Sequence, residues 1–208
     1  MLQRHVMKVA RAMSKVTMTR RVMWQFEDGP GVELLALSAN GSVSAESTIF
    51  RRPDGHESFA VSYRLECDRD WRVRSLVVEL VDRERALALR SDGAGGWTKN
   101  DGEPLPALDD AIDVDLSATT FTNTLPVRRL KLSNGQSETI AVAYIDVPEL
   151  TLERAEQRYT CLESAADGAR YLFESVSDDG SVGYSAELEL DGDGFVIHYP
   201  GYARRVYG

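Results

Sequence analysis

Strict alternation of apolar and polar residues is the feature that most constrains the fold of this chain. From Ser58 to Cys67 every second residue is apolar or aromatic, and the residues between are small, polar or charged. Because successive side chains of a strand point to opposite faces, this pattern predicts a half-buried β-strand. The same period of two recurs over 139–144 and 184–190, and no long window shows the 3.6-residue period of an amphipathic helix. The sequence therefore predicts an all-β fold.

Turn sequences divide the chain into short strands. Asn-Gly or Asp-Gly pairs lie between strand candidates at 40–41, 54–55, 92–93, 134–135, 179–180 and 193–194. Glycine tolerates positive φ in such turns, so neighbouring strands should pair antiparallel. We expect about ten to twelve strands, one of them at 127–132. A single sheet of this size has exposed edges and accumulates twist, which favours a barrel, half-barrel or spiral roll.

Two stretches depart from the simple alternation. From Trp71 to Val81 the apolar positions change from odd to even numbers, which indicates a bulge near Ser75 or burial of both faces. Over 100–126 the alternation lapses between prolines, and we predict a long loop with a short helical turn.

The charge of the chain is divided unevenly. Six of its 24 basic residues precede Glu27, the first acid, so the remainder holds 18 basic against 33 acidic residues. An acidic body repels phosphate backbones, which disfavours nucleic acid as a partner. We interpret residues 1–20 as a basic leader, disordered or helical, and residues 21–208 as a single β-roll domain.

Several features indicate a cytoplasmic protein without a membrane span. No run approaches the ~20 apolar residues of a spanning helix, and the first residues lack the pattern of a secretory signal. Cys67 and Cys161 lie far apart in apolar, strand-like stretches, as free buried cysteines commonly do. A reducing compartment suits such residues.

Few residues offer chemistry. His198 is the one histidine placed to act as a base, and Asp113 and Asp115 could serve as an acid/base pair, although aspartates in loops also close turns. The chain has no zinc-ligand spacing and no phosphate-binding glycine loop, so we expect neither a metal nor a cofactor. Arginines next to aromatic residues on strands suit an anionic or sugar head group, or they are simply solvent-facing neighbours of core aromatics.

Six segments together resemble a bacterial family described as glycolipid-binding proteins. The central one is DVDLSATTFTNTLPVRRL (113–130), and the others are YRLECDRDWR (63–72), Gly96-Trp97, AYIDVP (143–148), QRYTCL (157–162) and HYPGYARR (198–205). The resemblance extends from about Trp24 to the end. It implies a spiral β-roll similar to the half-barrels that carry lipoprotein acyl chains. Asp110, Ala111 and His198 depart from the family pattern, where glycine, cysteine and an acid are expected.

The leading hypothesis is therefore a non-catalytic binder that holds an acyl or glycolipid ligand in the hollow of the rolled sheet, with Thr119 to Arg129 at its mouth. The predicted ligand-binding residues are Tyr63, Arg64, Trp71, Arg72, Asn123, Arg128, Arg129, Tyr144 and Tyr159. One alternative is a hydrolase that acts on a glycolipid or small ester through Asp113, Asp115 or His198. The other is a scaffold that binds protein through an exposed sheet edge.

Overall fold

A computed structural model describes residues 18–81, 83–177 and 179–208. Over these residues the chain forms fourteen strands, a short helix and two 3-10 turns. The strands are β1 Met18–Phe26, β2 Gly31–Ala39, β3 Val43–Arg51, β4 Phe59–Cys67, β5 Val73–Leu80, β6 Arg85–Ser91, β7 Trp97–Lys99, β8 Asp113–Leu116, β9 Ser137–Asp146, β10 Thr151–Ser164, β11 Gly168–Val176, β12 Val182–Asp191, β13 Val196–Tyr199 and β14 Ala203–Tyr207. The helix is α1 Thr124–Leu130, and the 3-10 turns are Pro106–Leu108 and Phe121–Asn123.

All of these strands belong to one open sheet, in the order β7-β6-β5-β4-β3-β2-β1-β14-β13-β12-β11-β10-β9-β8. Neighbours pair antiparallel except β8 and β9, which are parallel. Strands β1–β7 form one arm of the sheet, and strands β8–β14 form the other. The two arms are joined in the middle of the sheet, where β1 pairs with β14. The all-β prediction is confirmed. The predicted strand number was too low, because β7, β8 and β14 are too short to display a clear alternation and β1 was read partly as leader.

The central segment differs from the prediction. Residues 113–116 form strand β8. The strand that we predicted at 127–132 is wrong, because most of that range lies in helix α1. Val127 and Leu130 are spaced by three residues, which suits a helix face as well as a strand end. Pro126 lies in the first turn of α1, where its missing N–H costs no helical hydrogen bond. The helix ends at Lys131, which adopts a left-handed conformation with φ 52°.

A bulge between β4 and β5 explains the change of parity after Trp71. Glu66 pairs with Ser75 and Cys67 pairs with Val73, so Arg74 is the additional residue on β5. Inward positions on β5 therefore pass from Val73 to the even-numbered residues that follow it. The predicted bulge near Ser75 is confirmed.

The interior of the roll is filled by the central segment. Phe121 is fully buried, and its ring lies 6.5 Å from that of Tyr63 on β4 and 6.0 Å from that of Phe195. Leu116 and Leu125 are buried beside it in the same core. Of the segment that we predicted at the mouth of a hollow, Thr119 to Arg129, residues 119–127 are buried and the last two are partly buried. They therefore act as packing between the two arms.

The predicted leader, residues 1–20, overlaps the first strand by three residues. Strand β1 begins at Met18, so Met18–Arg20, which we assigned to the leader, belong to the sheet. Residues 1–17 lie outside the described part of the chain. Within the described part, no helix has the length and apolar character needed to cross a membrane. Both cysteines are buried and free, as predicted.

Candidate functional site

An open groove of about 430 Å³ crosses the second arm. Its floor includes a row of side chains on three adjacent strands, because Asp115 of β8 pairs with Tyr144 of β9, and Tyr144 pairs with Glu153 of β10. The residues that line it are Asp115, Leu116, Ser117, Thr119, Asn123, Tyr144, Glu153, Ala155, Glu156, Gln157, Phe173, Ser175, Tyr184, Tyr199 and Tyr202. Residues of β8 to β13, of the central segment and of the β13–β14 turn thus line one cleft.

Aromatic rings dominate one side of this groove. The rings of Phe173, Tyr184 and Tyr199 are mutually separated by 6.3 Å between centroids, and Tyr202 lies 5.1 Å from Tyr199. Tyr184 is 47% exposed, so part of its ring is open to a ligand. Contacting aromatic rings restrict one another's rotation, which gives this side of the groove a preformed apolar surface.

Several polar groups that line the groove are already hydrogen bonded. Asp115 accepts hydrogen bonds from Thr122 Oγ1 at 2.8 Å and from Gln157 Nε2 at 2.6 Å. Burial raises the pKa of the Asp115 carboxyl, and the two donors oppose that rise. The Tyr159 hydroxyl donates to Asn123 Oδ1 at 2.9 Å and holds the Asn123 amide at the edge of the groove.

A buried acid, Glu33, stands behind the groove wall. Its side chain accepts hydrogen bonds from Thr119 Oγ1 at 2.6 Å, Ser47 Oγ at 2.8 Å and the Tyr63 hydroxyl at 2.9 Å. Burial raises the pKa of Glu33 to about 7. We did not predict this residue, yet it shares the inward positions of β2 with Leu35 and Leu37, where an acid is anomalous.

The predicted ligand-binding residues are only partly brought together. Asn123 and Tyr144 line the groove, and Tyr159 supports Asn123 from within the core. Tyr63 is buried and directs its hydroxyl to Glu33. Trp71 is buried too, and the guanidinium of Arg128 lies 4.9 Å from its ring.

The four predicted arginines do not line the groove, because each guanidinium is engaged elsewhere. Arg64 donates to Glu46 at 2.8 Å on the outer face, beside a second, shallower concavity of about 400 Å³. The other three donate to Gly93 O (Arg72, 3.0 Å), Asp193 O (Arg128, 3.2 Å) and the Asp113 carboxylate (Arg129, 2.5 to 3.2 Å). Their role as head-group contacts stays a prediction that this placement does not favour.

The residues suggested for hydrolysis are also separated by their contacts. Asp113 is fully buried and paired with Arg129, whereas Asp115 lines the groove. His198 Nε2 lies 3.3 Å from Glu27 Oε1 and 2.9 Å from the Arg204 guanidinium, among residues that do not line it. Across residues 18–81, 83–177 and 179–208, no group of three His, Cys, Asp or Glu side chains is arranged to hold a metal ion.

Comparisons with known proteins place this fold among described relatives. The family model described as "Putative glycolipid-binding" matches residues 21–205. A crystal structure of a DUF1089 family protein from Pseudomonas aeruginosa is 32% identical in sequence and superposes with a TM-score of 0.70. That match covers 99% of this chain and 100% of the other. The search of curated proteins found no match.

Proposed function

Since the chain belongs to this glycolipid-binding family, we propose that its aromatic groove holds the sugar head group of a glycolipid without catalysing a reaction. The single observation that carries the proposal is the composition of the groove. Tyr184 and its neighbouring rings line it together with carboxyl and amide groups. Apolar C–H faces of a sugar can pack on such rings, while its hydroxyls need polar partners.

The size of the groove supports a head group in this position. About 430 Å³ lies within the range of roughly 300 to 1,000 Å³ found for small-molecule sites. Because Phe121 and Leu125 are fully buried inside the roll, we place the acyl chain outside the hollow that we predicted. In this proposal the sugar sits in the groove and the acyl chain leaves through its open side.

The contacts of the polar residues favour binding over hydrolysis. A general acid or base must reach the scissile bond of a bound substrate. Asp113 is occupied by Arg129, and His198 by Glu27 and Arg204, away from the groove. Asp115 does line the groove, but both of its carboxyl oxygens already accept hydrogen bonds, from Thr122 and Gln157.

Truncation of the exposed ring should weaken sugar binding. We expect Tyr184→Ala to bind n-octyl β-glucoside about tenfold more weakly than the wild type, as measured by isothermal titration calorimetry below the micelle concentration. Losing roughly 50 Å² of apolar contact at about 25 cal/mol per Å² corresponds to about 1.3 kcal/mol, or nearly a factor of ten.

A matched control is available at the end of β14. Tyr207 is 63% exposed and lies outside the groove lining, so Tyr207→Ala should bind octyl glucoside as the wild type does. Equal losses in both variants would place the glucoside elsewhere on the surface. Failure of the wild type to bind octyl glucoside or any other octyl glycoside would contradict the proposal.

A further inference from the structure

The charge of the groove narrows the class of head group. Three acidic residues, Asp115, Glu153 and Glu156, are among those that line it, and among its described lining residues none is basic. Glu156 is paired with Arg154 at 3.2 Å. Within the described part of the chain, neither Asp115 nor Glu153 forms an ion pair. Neither of these two carboxyl groups therefore has a cationic partner within the described part of the chain.

The two acids lie on either side of an aromatic ring. Tyr144 separates them in the row across β8, β9 and β10. Adjacent strands are about 4.8 Å apart, so the backbones of Asp115 and Glu153 are separated by about 10 Å. A sugar ring placed over Tyr144 would lie between the two acids, so an amino substituent on it could be directed to either side chain.

Positive charge from the surrounding protein is already engaged. Arg51 approaches the groove wall, where it donates to the Tyr202 hydroxyl at 3.0 Å, but it also pairs with Asp28. Arg129 is held by Asp113. The groove therefore combines uncompensated carboxylates with the faces of several tyrosines. Both attract a cation, the carboxylates by charge and the rings by their quadrupole.

From this arrangement we infer that the groove recognises a protonated amino group carried on the sugar, and so selects an amino-sugar lipid over neutral or acidic glycolipids. The inference rests on the proposed function, since it concerns the same groove. A phosphate or uronate group would lie close to two negative side chains, which disfavours it. A neutral sugar would leave both carboxylates without a charged partner.

The test compares n-octyl glycosides of glucosamine, glucose and glucuronic acid by calorimetry on the full chain. The wild type should bind the glucosamine glycoside about tenfold more tightly than the glucoside, and the glucuronide most weakly. Octylamine is the fourth probe. It should bind more weakly than the glucosamine glycoside, and equal affinity would show that a plain amine, not an amino sugar, is recognised.

Variants that remove one carboxyl charge test whether the groove causes the preference for the glucosamine glycoside. In Glu153→Gln and in Asp115→Asn, the ratio of glucosamine to glucose glycoside affinity should fall towards one. Glu163→Gln removes an equivalent charge from β10 outside the groove and should leave the ratio near its wild-type value. Glu153 is exposed, so its variant tests the inference even if Asp115→Asn fails to fold.

The outcomes separate this inference from the proposed function. Equal wild-type affinity for the glucosamine and glucose glycosides would overturn the inference and leave the proposed function intact. A preference that persists in both groove variants would also overturn it, because the cation would then bind elsewhere. Failure of all three glycosides to bind would contradict the proposed function itself.

Discussion

Replacement of Arg129 by alanine should lower the free energy of unfolding by about 3 to 5 kcal/mol, measured by urea denaturation at neutral pH. Asp113 is 0% exposed, and Arg129 Nε and NH2 donate to both of its oxygens at 2.5 to 3.2 Å. Removal of the guanidinium leaves a carboxylate buried without its cation. Burial already raises the pKa of Asp113, and Arg129 and Arg72 oppose that rise.

The pH dependence of the Arg129→Ala defect provides a check on its cause. Without Arg129, the pKa of Asp113 should rise further, so protonation at lower pH should remove part of the destabilisation. Arg170→Ala is the control, because Arg170 is half exposed and pairs with Glu163 and Glu187 in solvent. It should cost less than about 1 kcal/mol. A loss for Arg129→Ala no larger than this would show that the buried pair is not needed for stability.

This ion pair also positions the groove. It joins α1 to β8, and Asp115, two residues beyond Asp113, is the polar floor of the cleft. Thr122, from the turn that leads into α1, donates to Asp115 at 2.8 Å. The central segment therefore fills the roll with its apolar side chains and supplies one polar wall of the groove with the others.

Strands β2 to β6 of the first arm were predictable from the sequence. In β4 the residues Phe59, Val61 and Tyr63 are buried as their alternation requires, and the bulge opposite Glu66 follows from the change of parity in β5. The alternation is visible in the sequence because one face of each of these strands packs in the core. The central segment shows no such pattern, because α1 is only seven residues long and its conformation depends on packing between the arms.

The site was less predictable than the fold, because the sequence does not show which charges pair. Arg64 and Arg129 looked alike on strand-like segments, yet one pairs with Glu46 in solvent and the other with a buried aspartate. Tyr184 lies in a stretch of predicted alternation, but nothing local indicated that its ring is partly open to a ligand. Contacts between residues distant in sequence decide both outcomes.

Glu33 should make the stability of the protein depend on pH in a direction opposite to that of most carboxyls. Its pKa is raised by burial from 4.5 to about 7, so the folded state binds its proton more tightly than the unfolded state does. Stability from this group is therefore fully present below about pH 4.5 and is lost as pH rises towards 7. Between about pH 5.5 and about pH 8.5 the loss amounts to roughly 2 kcal/mol.

The Glu33→Gln variant isolates this effect, because glutamine keeps the shape and stays neutral. Its free energy of unfolding, minus that of the wild type, should increase by about 2 kcal/mol from about pH 5.5 to about pH 8.5 in urea denaturation. Glu46→Gln, at an exposed position of β3, controls for the removal of one negative charge from an acidic protein. Three hydroxyl donors, from Ser47, Tyr63 and Thr119, favour the ionised form and oppose burial. If they prevail, the difference will stay constant over this pH range, and Glu33 will prove to be a permanent buried anion behind the groove.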